Sequence, residues 1–270
     1  MSELRLWELE NPSLGNLLEA KAKLDGNNTI LLFEDQKVTY TEFDDRANRA
    51  ANGLLELGVK KGDTVCLWLP NCPEWLYLWF GMAKIGAVLV PVLPGLSGNH
   101  LAHLINQSDA KTIVLDASFL SAFDAVAKRL KKIKNIVVEA RASSPGTVSL
   151  PQGSVLLETL FDCSAESPQI GVRHPDVACI IYTSGTTGLP KGLVTRHFPP
   201  IPKPTTPASS DPYAEYFKPG AVAYMCYPLA TWFGGFVAWF VRDMVTAFSR
   251  EKRYDRFWDD ARRYNASFFM

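Results

Sequence analysis

Apolar and polar residues change places along this chain with two periods. A first helix is predicted over Leu14–Leu24. From Thr41, read as an N-cap with Asp44 three positions on, Phe43, Ala47, Ala50, Ala51, Leu54 and Leu55 fall on one helical face, and Gly58 ends the run. Thr64–Leu69 is an unbroken apolar stretch of strand type, and Pro73 opens a second helix where its missing N–H costs nothing. Further on, strands are predicted at Ala87–Val92, Thr112–Leu115 and Asn135–Glu139, with helices at Asn99–Gln107 and Ser118–Lys132. Regular alternation with continuous apolar strands implies an α/β fold, a largely parallel sheet with helices on both faces. No internal repeat is visible.

Two apolar stretches come close to membrane-spanning length. Trp75–Leu93 contains Lys84, Gly86 and Pro91, so a helix ending at Gly86 and a buried strand account for it. Trp232–Phe248 is broken by Arg242-Asp243 and is not expected to span either. Ala140–Gly153, rich in Ser, Pro and Gly, reads as a loop between lobes. Phe198–Pro212 carries six prolines, which remove donors and fix φ, so an extended segment is predicted there. The predicted organisation is an α/β region over 1–197, a proline-rich insert or linker over 198–220, and the start of a second lobe over 221–270.

The composition narrows the function classes. At 270 residues and 47% apolar, a sizeable core is affordable, and 28 basic residues balance 28 acidic ones. Nucleic acid is therefore not an expected partner. The cluster Lys128, Arg129, Lys131, Lys132 and Lys134 reads as the solvated face of one helix. Five cysteines without a Cys-x-x-Cys pair argue against both a disulfide framework and a metal site. Together with a start lacking an apolar signal region, they imply a cytoplasmic or other reducing compartment. His100, His103, His174 and His197 read as ordinary surface histidines, and no metal ligands are assigned.

Candidate chemistry concentrates after Val177-Ala-Cys-Ile-Ile, another buried-strand pattern. Tyr-Thr-Ser-Gly-Thr-Thr-Gly-Leu-Pro-Lys-Gly, Tyr182 to Gly192, packs four hydroxyls, three glycines and a lysine together. Glycines let backbone N–H groups converge, hydroxyls add donors and lysine adds positive charge, which suits polyphosphate oxygens. The Walker spacing is absent.

This segment resembles the phosphate-binding signature of the adenylate-forming superfamily, the AMP-dependent, acyl-CoA synthetase-like ligases. The resemblance extends over most of Val38–Val194, including "PNCPEW" and "KIGAVLVPV", and resumes more loosely from Ala221, with "FWDDARRY" near the end. It implies the N-terminal part of that family's fold, and a protein using ATP, Mg2+ and CoA to turn a carboxylic acid, of fatty-acid or carnitine type, into an acyl-adenylate and then a thioester. It further implies that Thr183, Ser184, Gly185, Thr186, Thr187, Gly188 and Lys191 line the triphosphate, with Lys191 as the charge that stabilises it. Trp232, Phe233, Gly234 and Gly235 stand beside the family's acyl site, in the stretch Tyr227–Phe236; a buried aromatic turn is the alternative there. Ala230 and Thr231 occupy positions where the family has an aromatic residue and a histidine.

The family's later motifs, including its magnesium and ribose contacts and its mobile C-terminal domain, have no counterpart before Met270. Two readings follow. One is a truncated acyl-CoA synthetase-like chain, inactive by itself; the other is a pseudoenzyme or fragment that binds nucleotide or pairs with a partner chain.

Overall fold

The computed structural model describes residues 9, 12–141, 149–183, 188–197, 218–250 and 254–269. In chain order the elements are α1 (Leu14–Asp25), β1 (Thr29–Phe33), β2 (Gln36–Thr39), α2 (Tyr40–Glu56), β3 (Thr64–Trp68), α3 (Pro73–Ile85), β4 (Val88–Pro91) and α4 (Gly98–Gln107). There follow β5 (Thr112–Asp116), α5 (Leu120–Ala127), β6 (Asn135–Glu139), β7 (Val155–Leu156), α6 (Leu157–Leu160), β8 (Val177–Thr183) and β9 (Lys191–Arg196). The last are β10 (Val222–Met225), α7 (Leu229–Val241), β11 (Val245–Phe248), α8 (Phe257–Arg263) and β12 (Phe268–Phe269).

Two sheets organise these elements. One has seven strands in the order β7-β6-β5-β3-β4-β8-β9, parallel except for the final β8–β9 hairpin. The other has five, in the order β12-β10-β11-β1-β2, with only β1–β2 antiparallel. Helices cover both faces of the seven-stranded sheet, as the apolar strand patterns require. Along β3 the side chains alternate: Val65 and Leu67 join the core shared with α1, α2, α3 and α7, while Cys66 and Trp68 join a second core with α4 and α5. The first core also takes Leu31, Met225 and Phe248 from the five-stranded sheet, so α2, α3 and α7 are packed between the two sheets. A third, smaller core lies beyond, with Tyr224 and Ala247 against Ala261 and Tyr264.

Aromatic rings fill the middle layer. Phe80 is fully buried and meets Phe43 and Phe240 edge-on, with centroids 5.1 and 5.2 Å away. Gly81 lets α3 approach α2 closely, since a Cβ there would stand 2.9 Å from the Ala47 carbonyl oxygen.

Several predicted details change. The N-cap of α2 is Thr39, not Thr41: Thr39 and Glu42 form a reciprocal capping box. Asp44, the expected N3 partner, is instead 2.8 Å from the Lys84 ammonium, buried on α3. Helix α5 ends at Ala127, so the basic cluster from Lys128 lies in the turn toward β6 and not on a helical face. There the Asn106 side chain holds the Lys131 N–H and the Arg129 carbonyl, replacing helical partners. The stretch from Tyr227 is not a turn throughout, because α7 starts at Leu229. The predicted loop at 140–153, of which 142–148 fall outside the described residues, connects neighbouring strands β6 and β7 rather than two lobes. Nor do the sheets divide at residue 197, since β1 pairs in parallel with β11, Leu31 opposite Thr246. The proline-rich stretch 198–212 lies outside the described residues. Among the described residues no helix is long and apolar enough to cross a membrane.

Candidate functional site

Strands β3 and β4 lie side by side, but the chain leaves them toward opposite faces. After β3 it enters α3, in the first core; after β4 it enters α4, in the second. Diverging loops at the carboxyl ends of parallel strands open a crevice, the usual ligand position in such sheets. A cavity of about 710 Å3 lies there. Pro70 and Asn71 line it from the first loop, Leu93 to Leu96 from the second, and Tyr227, Pro228, Thr231 and Arg250 from the five-stranded side.

Two polar side chains frame this crevice. Asn71 donates from Nδ2 to the Tyr227 carbonyl (3.0 Å) and accepts the Leu229 N–H at Oδ1 (2.7 Å). It thereby ties the end of β3 to the start of α7. Arg250, after β11, donates from Nη2 to the buried Asp116 carboxylate at the end of β5 (2.9 Å), so an ion pair joins the two sheets across the mouth. Arg250 is the one charged residue lining the cavity among the described residues. Sequence reasoning assigned neither residue. Asn71 sits between a buried strand and Pro73, a local signal that a polar side chain is placed at a strand end; the Asp116–Arg250 pairing spans 134 positions and leaves no local signal.

The predicted phosphate loop begins at the same edge. β8 runs parallel beside β4, with Cys179 opposite Leu89, so its carboxyl end opens beside the crevice loops. The hairpin returns as β9, and its last ladder pair is Thr183 with Lys191. Ser184, Gly185, Thr186 and Thr187 fall outside the described residues. Thr183, Gly188 and Lys191 are exposed, and among the described residues a Cβ at Gly188 would meet nothing within 4 Å. Gly192 is required for a different reason: a Cβ there would stand 2.8 Å from Ile180 and 3.2 Å from the Tyr182 ring on the partner strand.

The acyl-site candidates separate. Phe233 is buried with its ring 5.1 Å from Trp79 and 6.1 Å from Trp75, in the middle-layer core. Gly234 is exposed with open space beyond it, and Gly235 is half-buried. The Trp232 side chain is outside what is described. Of that stretch, the crevice takes Tyr227, Pro228 and Thr231.

Two thiols lie near the base of the crevice. Burial pushes Cys66 up to about 12 and Cys72 well above its ordinary range, so both stay protonated near neutrality. His197 is not a surface residue: it is buried at the end of β9, and burial lowers its basicity. Neither ring nitrogen has a partner among the described residues. No group of three or more His, Cys, Asp or Glu that could hold a metal ion occurs among the described residues.

The sequence profile of the AMP-binding enzyme family matches residues 18–270. The crotonobetaine/carnitine–CoA ligase of Citrobacter koseri is 32% identical over 191 residues, 69% of this chain and 37% of that protein. The long-chain-fatty-acid–CoA ligase FadD13 of Mycobacterium tuberculosis is 36% identical over 164 residues, 60% of this chain and 30% of that one. Among solved structures, the anthranilate CoA ligase AuaEII, in complex with anthranoyl-AMP, superposes with a TM-score of 0.79 at 20% identity, over 98% of this chain and 51% of that one. The matched stretch thus spans about a third of these curated relatives.

Proposed function

From the premise that this chain belongs to the AMP-binding enzyme family, we propose that it holds ATP at the β8–β9 hairpin and a carboxylic acid in the adjoining crevice, as part of an acid–thiol ligase. One observation carries the reading. The crevice and the hairpin open at the same edge of one sheet, at the carboxyl ends of neighbouring strands β3, β4 and β8. An acid and a triphosphate bound there lie within reach of each other.

The chemistry needs little from the protein beyond placement and charge. A carboxylate oxygen attacks the α-phosphorus, the bond to pyrophosphate breaks, and its electron pair leaves on the pyrophosphate oxygen. Lys191, beside Thr183, supplies positive charge where that negative charge collects, and hydroxyls and backbone N–H groups of the loop supply donors. A thiol, that of CoA in the named relatives, then takes the acyl group and releases AMP. Magnesium, when bound with the nucleotide, would screen the triphosphate charge. Pro70, Leu93, Leu96 and Tyr227 make the crevice wall mainly apolar, which suits an aliphatic or aryl acid with its charge toward Arg250.

Calorimetric titration of Mg·ATP into the purified chain, with Lys191→Ala beside it, tests the first half. Binding that weakens at least about tenfold in the variant supports the reading; equal binding by both proteins, or none by a folded chain, sinks it.

A further inference from the structure

The return arm of the phosphate hairpin is held by more than its own ladder. The last strand pair is Thr183 with Lys191, so Pro190 already lies beyond the sheet on the way into the loop. Proline has no N–H to offer, and its carbonyl is the only backbone group by which that residue can be tied down. It is tied: His103 Nε2 stands 3.1 Å from the Pro190 carbonyl oxygen. Since a carbonyl only accepts, His103 donates, which sets the proton on Nε2.

The base of this contact is rigid. His103 sits on α4, whose Leu101, Ala102, Leu104 and Ile105 are buried in the second core, under the strands that bear the crevice. The same helix starts at Gly98, directly after the crevice wall Leu93–Leu96. The helix that follows the crevice wall therefore also reaches the hairpin, through His103.

We infer that His103 is a positioning residue that holds Pro190, and through it Lys191, in register with the pyrophosphate end of bound ATP. This rests on the reading of the hairpin as a triphosphate site. Among the described residues, without the bond the return arm is held by the ladder from Lys191 onward, and the lysine is the first residue to fray. Its ammonium then spends less time at the phosphates farthest from the adenosine, so the loss falls on ATP and spares AMP, which lacks those phosphates.

The test compares Kd for Mg·ATP and for AMP in the full chain, its Lys191→Ala form, His103→Leu and His103→Gln, with a thermal melt of each. His103→Leu is expected to raise the Kd for Mg·ATP about fivefold, the scale of one neutral hydrogen bond, and to leave AMP unchanged. His103→Gln, whose amide N–H reaches about as far as Nε2, is expected to stay within about twofold of the native chain on the same scale. Equal losses in His103→Leu and His103→Gln would mean that ring packing matters and the donor does not, which overturns the inference. So would a lowered melting temperature with both affinities unchanged, or a parallel loss of ATP and AMP. If Lys191→Ala weakens Mg·ATP while His103→Leu does not, the inference fails and the hairpin reading survives; if Lys191→Ala changes nothing, both fall. Should His103→Leu fail to fold, His103→Asn withdraws the donor with less change of polarity, and the same outcomes decide.

Discussion

In the middle of the seven-stranded sheet every residue of β3, β4 and β5 but one is buried, whereas at its end not one residue of β9 is. Backbone ladders run through both places, parallel in the middle and antiparallel in the β8–β9 hairpin. The covering differs more: α3 lies over the middle strands on one face and α4 over the other, while β9 exposes Leu193 and Val194 by about half. Packing is thus distributed unevenly along one sheet: the centre, covered on both faces, holds the fold, while β9 is exposed.

That contrast can be broken by mutation at either end. The largest effect is expected for Phe80→Ala in the middle layer, which removes a fully buried ring that packs against Phe43, Phe236 and Phe240. A loss of about 3–5 kcal/mol in urea unfolding is expected. A loss below about 1 kcal/mol would mean that the layer collapses to fill the space, and that the centre is not the stabilising part. Next comes Asp44→Ala, which strands the Lys84 ammonium, 3% exposed, without its partner 2.8 Å away. About 3 kcal/mol is expected by the same measurement, and restoration by the double replacement Asp44→Ala, Lys84→Met would assign the loss to the unpaired charge.

A pH titration sharpens the comparison at the hairpin's base. His197 lies at the end of β9, and burial, the larger influence, lowers its pKa below the ordinary 6.5, against the opposing attraction of Asp176. The unfolded chain therefore takes up this proton first as pH falls. Stability from this group is complete above pH 6.5 and declines as pH drops from 6.5 toward the lowered folded value, beyond which it levels off. Melting curves from pH 7.5 to about 5 should show that slope, and His197→Gln should flatten it. An unchanged slope in the variant would assign it to carboxylates elsewhere. The smallest effect is expected at the hairpin surface: Leu193→Ser, 58% exposed, should change stability by no more than about 0.5 kcal/mol. A loss of several times that in the isolated chain would show that β9 is covered in solution.

Much of the central sheet was legible from residues 64–139, because each element there carries its own signal. Pro73 marks the start of α3 and Gly86, at φ 69°, its end; Asn135–Glu139 is a strand at the predicted bounds. The basic cluster misled because charge spacing persists past Ala127, while the backbone is taken over by Asn106 from another helix. At the capping site, two Thr residues each had an acidic residue three positions on. In the fold Glu42 closes the box with Thr39, while Asp44 pairs with the buried Lys84.

The functional readings divide in the same way. The order of residues from Thr183 to Lys191 was sufficient to point to the family, because its glycines, hydroxyls and lysine stand together in one short segment. The crevice was not legible. It is made where Pro70–Asn71, Leu93–Leu96, Tyr227–Thr231 and Arg250 meet, segments far apart in the chain. Phe233 shows the limit most plainly: beside two glycines it reads as an acyl-site residue, and packing turns its ring toward Trp75 and Trp79 instead. The sequence by itself determined the alternation of elements and their two-faced burial, which follow from local periodicity, and its motifs pointed to the family. Only the tertiary structure decided which loops face one another, that β1 joins β11, and that His103 reaches Pro190, because pairings between distant segments are set by packing and leave no mark in local order.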